Sequence, residues 1–128
     1  MTGDTQTPGQ LSGRIGEEAT ARLLEQRGWR ILARNFRRRF GEIDIVARQG
    51  DTLIFVEVKT RSSLRFGAPA EAVDARKRRR LSKTALDYMM RSHLTDLNAR
   101  FDVASVLLDD QGRIARIELL ENAFDFTG

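Results

Sequence analysis

The stretch 41–61, GEIDIVARQGDTLIFVEVKTR, constrains the fold more than any other part of this chain. Two alternating apolar runs meet at Gly50-Asp51, which is the pattern of a β-hairpin. With a two-residue loop, Gln49 faces Thr52, and Asp44 then lies across from Glu57 and Glu42 across from Lys59. Side chains alternate between the faces of a strand, so Glu57 and Lys59 share one face while Ile54, Val56 and Val58 share the other. Glu42 and Asp44 likewise lie together, opposite Ile43 and Ile45. A three-residue loop would put Asp44 on the face of Val56, so the charge pattern favours the two-residue turn.

Glu42 and Lys59 then make an ordinary cross-strand ion pair, contributing roughly 0.2–1 kcal/mol. Asp44 and Glu57 have no such explanation, because like charges directly opposed destabilise a sheet. Something positive must resolve the opposition: a proton shared by the pair, an arginine, Lys59 itself or a divalent metal. Two carboxylates with backbone oxygen and water are ligands that Mg²⁺ or Mn²⁺ accepts. The plainer alternative is a solvated edge of the sheet. The adjoining lysine in so apolar a strand counts against it.

The remaining elements follow from periodicity. Residues 1–12 are rich in Thr, Gly, Gln and Pro and read as a flexible N-terminal tail, leaving one domain at 13–128. A helix is expected over 14–26, with Ile15, Ala19, Leu23 and Leu24 as its apolar stripe and Gly28 ending it. Strands are expected over 29–36, 42–48 and 52–60, then a loop over 62–69 broken by Gly67 and Pro69. A second helix is expected over 70–92, then strands over 100–109 and 113–121 joined by a turn at 110–112. A helix between the third and fourth strands suits a right-handed crossover, hence an α/β fold with a mixed sheet flanked by helices.

Composition narrows the chemistry. There is no cysteine, which excludes disulfides, zinc ribbons and thiolate catalysis. A single histidine, His93, argues against a His-rich metal site or a serine-protease triad and reads as a surface residue at a helix end. The N-terminus lacks the basic and apolar segments of a signal peptide, and no apolar run approaches the ~18 residues that span a bilayer. A cytoplasmic protein without a membrane partner is therefore expected.

Net charge is only +4, from 22 Lys+Arg against 18 Asp+Glu, so the placement of charge matters more than its amount. Arg37, Arg38 and Arg39 precede the hairpin, and Arg61 and Arg65 follow its second strand. Arg76, Lys77, Arg78, Arg79 and Arg80 run in succession along the second helix, so some must lie beside its apolar stripe and reach outward. Acidic centre and basic surroundings suit a phosphodiester substrate. Aromatic residues free to stack on bases are sparse, which favours contact with the backbone of duplex or branched DNA over base readout. On the first helix Glu17 falls at the margin of the apolar stripe and can look into a cleft over the sheet. Glu18 falls beside Arg22 and faces solvent.

These residues resemble a known signature. GEIDIVA followed by FVEVKTR resembles the D…ExK pattern of the PD-(D/E)XK nuclease superfamily. GEEA with GWRILARNFR, then FGAPAEAV, RFDVASV and the closing ENAF, is similar to the bacterial YraN family, relatives of the Holliday junction resolvases. The resemblance runs from about Arg14 to Phe126 and implies a restriction-endonuclease-like αβββαβ core. It implies Asp44 and Glu57 as ligands of Mg²⁺ or Mn²⁺, and Lys59 as the residue positioning the attacking water or offsetting charge on the phosphate. Glu17 would match the helix-borne acidic residue of the resolvases, a catalytic residue serving as a further metal ligand through water. Ile43 stands where the superfamily motif has its proline.

The function expected is thus a metal-dependent endonuclease on structured or branched DNA. A homodimer is expected by analogy with resolvases, which cut two strands symmetrically. A non-catalytic nucleic-acid-binding or adaptor protein on the same fold is the alternative, and a module docking its basic helix on an acidic protein is a third. Asp102, in RFDVAS, reads either as support for the site or as part of the sheet.

Overall fold

The computed structural model describes residues 7–62 and 73–126. Its elements run α1 (Pro8–Gln26), β1 (Arg30–Arg38), β2 (Gly41–Gln49), β3 (Thr52–Ser62), α2 (Ala75–Arg91), β4 (Asn98–Leu108) and β5 (Ile114–Phe124). This is the expected order, an αβββαβ core extended by β5. The strands form one mixed sheet in the order β1-β2-β3-β4-β5, antiparallel everywhere except between β3 and β4. That parallel pair is joined through α2, since parallel strands need a long crossover. The arrangement is consistent with a restriction-endonuclease-like fold.

The helices pack on opposite faces. Ala21 and Leu24 of α1 bury against Ile45, Ala47, Ile54, Val56 and Ala104. Leu81, Ala85, Tyr88 and Met89 of α2 bury against Val46, Leu53, Phe55, Phe101 and Val103. The alternation of β3 is therefore real, with even-numbered residues under α1 and odd-numbered ones under α2.

Several boundaries move for local reasons. Helix α1 starts at Pro8, not Arg14, so residues 8–12 belong to it and not to a tail. Thr7 caps it, its hydroxyl accepting from the Gln10 amide while the Gln10 side chain accepts from the Thr7 amide, and Pro8 takes the first helical position. Helix α2 starts at Ala75 because Asp74 is its cap, accepting from the Lys77 amide at 2.9 Å. Residues 70–72, expected in that helix, lie outside the described residues, as does most of the 62–69 loop. Strand β1 runs on to Arg38, and β5 runs on to Phe124, which stacks on Phe101 with centroids 4.7 Å apart. His93 is exposed just beyond α2, at a φ of 57°.

One contact sets how closely α1 approaches the sheet. A Cβ added at Gly16 would fall 2.0 Å from Thr60 Oγ1 and 3.2 Å from Thr60 Cβ. Threonine on a strand has no room to retreat. Gly13, one turn earlier, has nothing within 4 Å of such a Cβ. Gly13→Ala should therefore stabilise the protein by roughly 0.5–1 kcal/mol, through reduced chain entropy. Gly16→Ala should instead destabilise it, since overpacking costs roughly 1–3 kcal/mol. Urea unfolding of the two variants beside the parent checks the opposite signs.

Candidate active site

The hairpin closes as its sequence requires. Gly50 takes a φ of 59°, Gln49 pairs with Thr52, and the register continues to Ile45 with Val56. There the ladder between β2 and β3 ends, although both strands continue. In place of a backbone carbonyl, the Asp44 carboxylate accepts the Val58 amide, with Oδ2 2.7 Å from the nitrogen. The strands fork at this point, and the site lies in the fork.

The fork changes two expectations. Glu42 does not pair with Lys59 across the hairpin. It bonds Arg37 of β1 at 2.6 Å, because the strands have already parted. Ile43 and Ile45 do not share a face either: Ile43 joins the core under α2 and Ile45 the core under α1. Their β1 partners, Phe36 and Arg34, flank Asn35, whose φ of 53° lies in the left-handed region. The ribbon turns over at Asn35 and Asp44, and strict alternation fails there.

Asp44 and Glu57 do oppose each other, 9% and 8% exposed. Burial, a hydrogen bond with Glu57 and its charge push the Asp44 carboxyl up to about 9, against the pull of the Val58 amide. Asp44 thus favours its protonated form beside Glu57. A positive charge reaches the pair from Lys77, whose Nζ lies 3.1 Å from Glu57 Oε2. Of the positive groups open from sequence, the ammonium that meets the pair is that of Lys77 rather than Lys59.

Lys59 is half-buried beside them. Burial and a hydrogen bond with Lys77 press its ammonium below the ordinary lysine range, outweighing the neighbouring carboxylates. For Lys77 burial acts in the same sense, but the Lys59 amine and the Glu57 and Asp44 carboxylates outweigh it and raise its value. Glu17 of α1 hydrogen-bonds Asn35 and lies near enough to the fork to feel its charges. Burial first, and then the charge of Glu42, raise its carboxyl, and its own charge raises Asp44. Glu18 points outward to Arg34 and Arg22.

Asp44, Glu57 and Lys77 line a cavity of about 510 Å³, with Glu42, Arg76 and Arg80 among its walls. Beside it a groove of about 1070 Å³ shares Gly41, Glu42, Arg76 and Arg80, and adds Arg37, Arg38, Arg39, Arg79 and Lys83. The basic residues divide by partner. Arg38 Nε lies 2.7 Å from Asp87 Oδ2, close enough to attract it but misdirected for a hydrogen bond. Arg78 turns away, donating to the Val73 carbonyl and covering the Phe124 ring. Arg39, Arg76, Arg79 and Arg80 have no partner among the described residues and line the groove. Arg61 is half-buried at the end of β3, apart from this groove, and Arg65 lies outside the described residues.

Asp102 belongs elsewhere. It is fully buried, receives two hydrogen bonds from Arg100 and accepts the Asn122 amide at 2.9 Å, pinning the bulge between β4 and β5. No group of three or more His, Cys, Asp or Glu side chains poised to hold a metal occurs among the described residues. The donor set at the fork is two carboxylates, and a divalent cation there would complete its shell with backbone oxygen and water, as Mg²⁺ ordinarily does. The Lys77 ammonium, 3.1 Å from Glu57 Oε2, stands where such a charge would be, so the residues fit.

The model of the uncharacterised protein family UPF0102 matches residues 16–106. The chain belongs to this family. A UPF0102 protein of Syntrophus aciditrophicus is 50% identical over 114 residues, covering 89% of this chain and 88% of the relative. One of Moorella thermoacetica is 52% identical over 112 residues, covering 88% and 93%. One of Trichlorobacter lovleyi is 51% identical over 118 residues, covering 91% of each. The matched span includes the fork, its two lysines and the arginine groove.

The raised Asp44 carboxyl implies a pH dependence, through the proton it keeps. The folded protein holds it more tightly than the unfolded chain, where aspartate titrates near 3.8. The folded state binds the extra proton between these values, so stability falls as the pH rises from about 4 towards about 9. Without divalent metal, Asp44→Asn should raise the melting temperature at pH 8 and leave it nearly unchanged at pH 4. Thermal unfolding of both proteins in chelator across that range is the check.

Proposed function

We propose that this UPF0102 protein is a Mg²⁺- or Mn²⁺-dependent endonuclease acting on structured or branched DNA. One observation carries the reading: a buried carboxylate pair with an adjoining lysine opens directly into a groove lined by arginines, four of them without a partner among the described residues. An acidic pair alone would also suit a bare cation site, and an arginine groove alone any polyanion. Their continuity suits a phosphodiester, whose charged backbone lies along cations while the bond to be cut meets the acidic centre.

A divalent cation held by Asp44 and Glu57 would supply Lewis acidity, making water nucleophilic near neutral pH and offsetting charge on the phosphoryl oxygens. Lys59, with its ammonium disfavoured by burial, positions the attacking water or meets the developing charge. Glu17, at the mouth of the fork, holds water rather than the phosphate, since its carboxylate would repel an anion. In the reaction the water oxygen forms a bond to phosphorus as the ester oxygen leaves and takes up a proton. Arg39, Arg76, Arg79 and Arg80 hold the strand by its phosphates and read no sequence. No described helix is long and apolar enough to cross a membrane.

Labelled four-way junction, flap, duplex and single-stranded DNAs, incubated with Mn²⁺ or in chelator, test the reading. Metal-dependent cuts are expected from the parent and none from Asp44→Asn or Glu57→Gln, both of which should still bind. Equal cutting by both variants would refute the assignment. Tight, structure-selective binding without any cleavage would favour the adaptor. Each of Arg76→Ala and Arg80→Ala should weaken binding across sequences and lower the salt slope by about 0.9. Fluorescence anisotropy over a salt series measures this.

A further inference from the structure

Lys77 was expected from sequence to be one cation among five on a nucleic-acid-binding helix. It is instead the only one of them whose side chain meets a carboxylate of the site, with Nζ 3.1 Å from Glu57 Oε2. Its backbone is fixed, because the amide is the one that caps α2 on Asp74. Its side chain is not: it is 34% exposed on a flexible four-carbon stem, and Arg76 and Arg80 stand on the same cavity wall. The ammonium can therefore lie against Glu57 or reach the line of phosphates that those arginines would hold.

A divalent cation bound at Glu57 cannot share the carboxylate with an ammonium in direct contact, since the two positive charges repel in a partly desolvated site. A phosphate between Arg76 and Arg80 offers Lys77 a replacement partner of the same sign as the one it leaves. We propose that Lys77 is a resident counter-ion that competes with the divalent metal for Glu57, and that nucleic acid admits the metal by drawing Lys77 onto a phosphate. This rests on the nuclease reading and adds regulation to it. Metal and nucleic acid bind cooperatively, each tightening the other by the same factor, and a site without substrate stays largely closed to the ion. Lys77 acts on the reaction by positioning, through its hold on Glu57.

The test measures Mn²⁺ binding by calorimetry on the full chain, with and without a hydrolysis-resistant phosphorothioate four-way junction. The proteins are the parent, Lys77→Met, Lys77→Arg and Asp44→Asn. Without DNA, Lys77→Met should bind Mn²⁺ on the order of tenfold more tightly than the parent, while Lys77→Arg stays near it. The junction should tighten Mn²⁺ binding to the parent by a similar factor and barely change it for Lys77→Met. Equal Mn²⁺ affinity in parent and Lys77→Met, or equal tightening of both by DNA, overturns the proposal and leaves the nuclease reading standing. Failure of every protein to take up Mn²⁺, or uptake undiminished in Asp44→Asn, overturns both.

Discussion

The Asp44 carboxylate is the hinge of this architecture. A strand pair as apolar as β2 and β3 would ordinarily zip along its whole length, burying every backbone donor in the ladder. Asp44 stops it by taking the Val58 amide at 2.7 Å, so that donor remains satisfied while the strands part. The opening costs little in hydrogen bonding and creates a gap reachable from both faces of the sheet. Lys77 enters from α2, and Glu17 on α1 lies near enough to feel the charge of Glu57. A sheet that stayed zipped would have kept the two helices' side chains apart.

Around that gap the two helices are seated by small residues. Gly16 lets α1 lie against Thr60, and Gly41 lets α2 approach the start of β2, where a Cβ would fall 2.6 Å from Thr84 Oγ1. The same closeness brings the α2 arginines beside the fork. Salt bridges then sort the cations: Arg37 and Arg38 are held by Glu42 and Asp87, while Arg39, Arg76, Arg79 and Arg80 have no partner among the described residues. A modest net charge thereby leaves a locally basic groove, since the placement of charge shapes the local field more than its sum does.

The hairpin, the element order and the alternation of β3 were legible because a period of two over a long apolar run admits few alternatives. The opposition of Asp44 and Glu57 was legible for the same reason, through the two-residue turn. The start of α1 was obscured because Thr, Gly and Gln read as loop unless Thr7 and Gln10 are seen as a reciprocal cap. The fork was not legible: a side chain replacing a backbone acceptor leaves no mark in the hydrophobic pattern, so Glu42 was assigned to Lys59 and not to Arg37. Nor was the role of Lys77, since five consecutive basic residues look alike until the helix is rotated against the sheet. The position of Glu17 at the stripe's margin did carry a signal, since its carboxyl is partly buried and feels the charges of Glu42 and Glu57.

Asp44 and Asp102 show how the same residue type separates into two roles. Both are buried aspartates on central strands, flanked in sequence by nearly identical apolar residues in EIDIVA and RFDVAS. Burial raises the carboxyl of each. Asp102 has its answer built in, a two-pronged guanidinium from Arg100 and the Asn122 amide, and it fastens a bulge. Asp44 faces another carboxylate and depends on its own proton and a lysine from a separate element. A buried charge whose partner is fixed beside it in the fold needs nothing further. One whose opposition is relieved only by exchangeable cations, a proton and an ammonium, can give them up to a stronger one. The local conflict is therefore the better guide to chemistry than burial or acidity alone, because folding by itself would have favoured removing it.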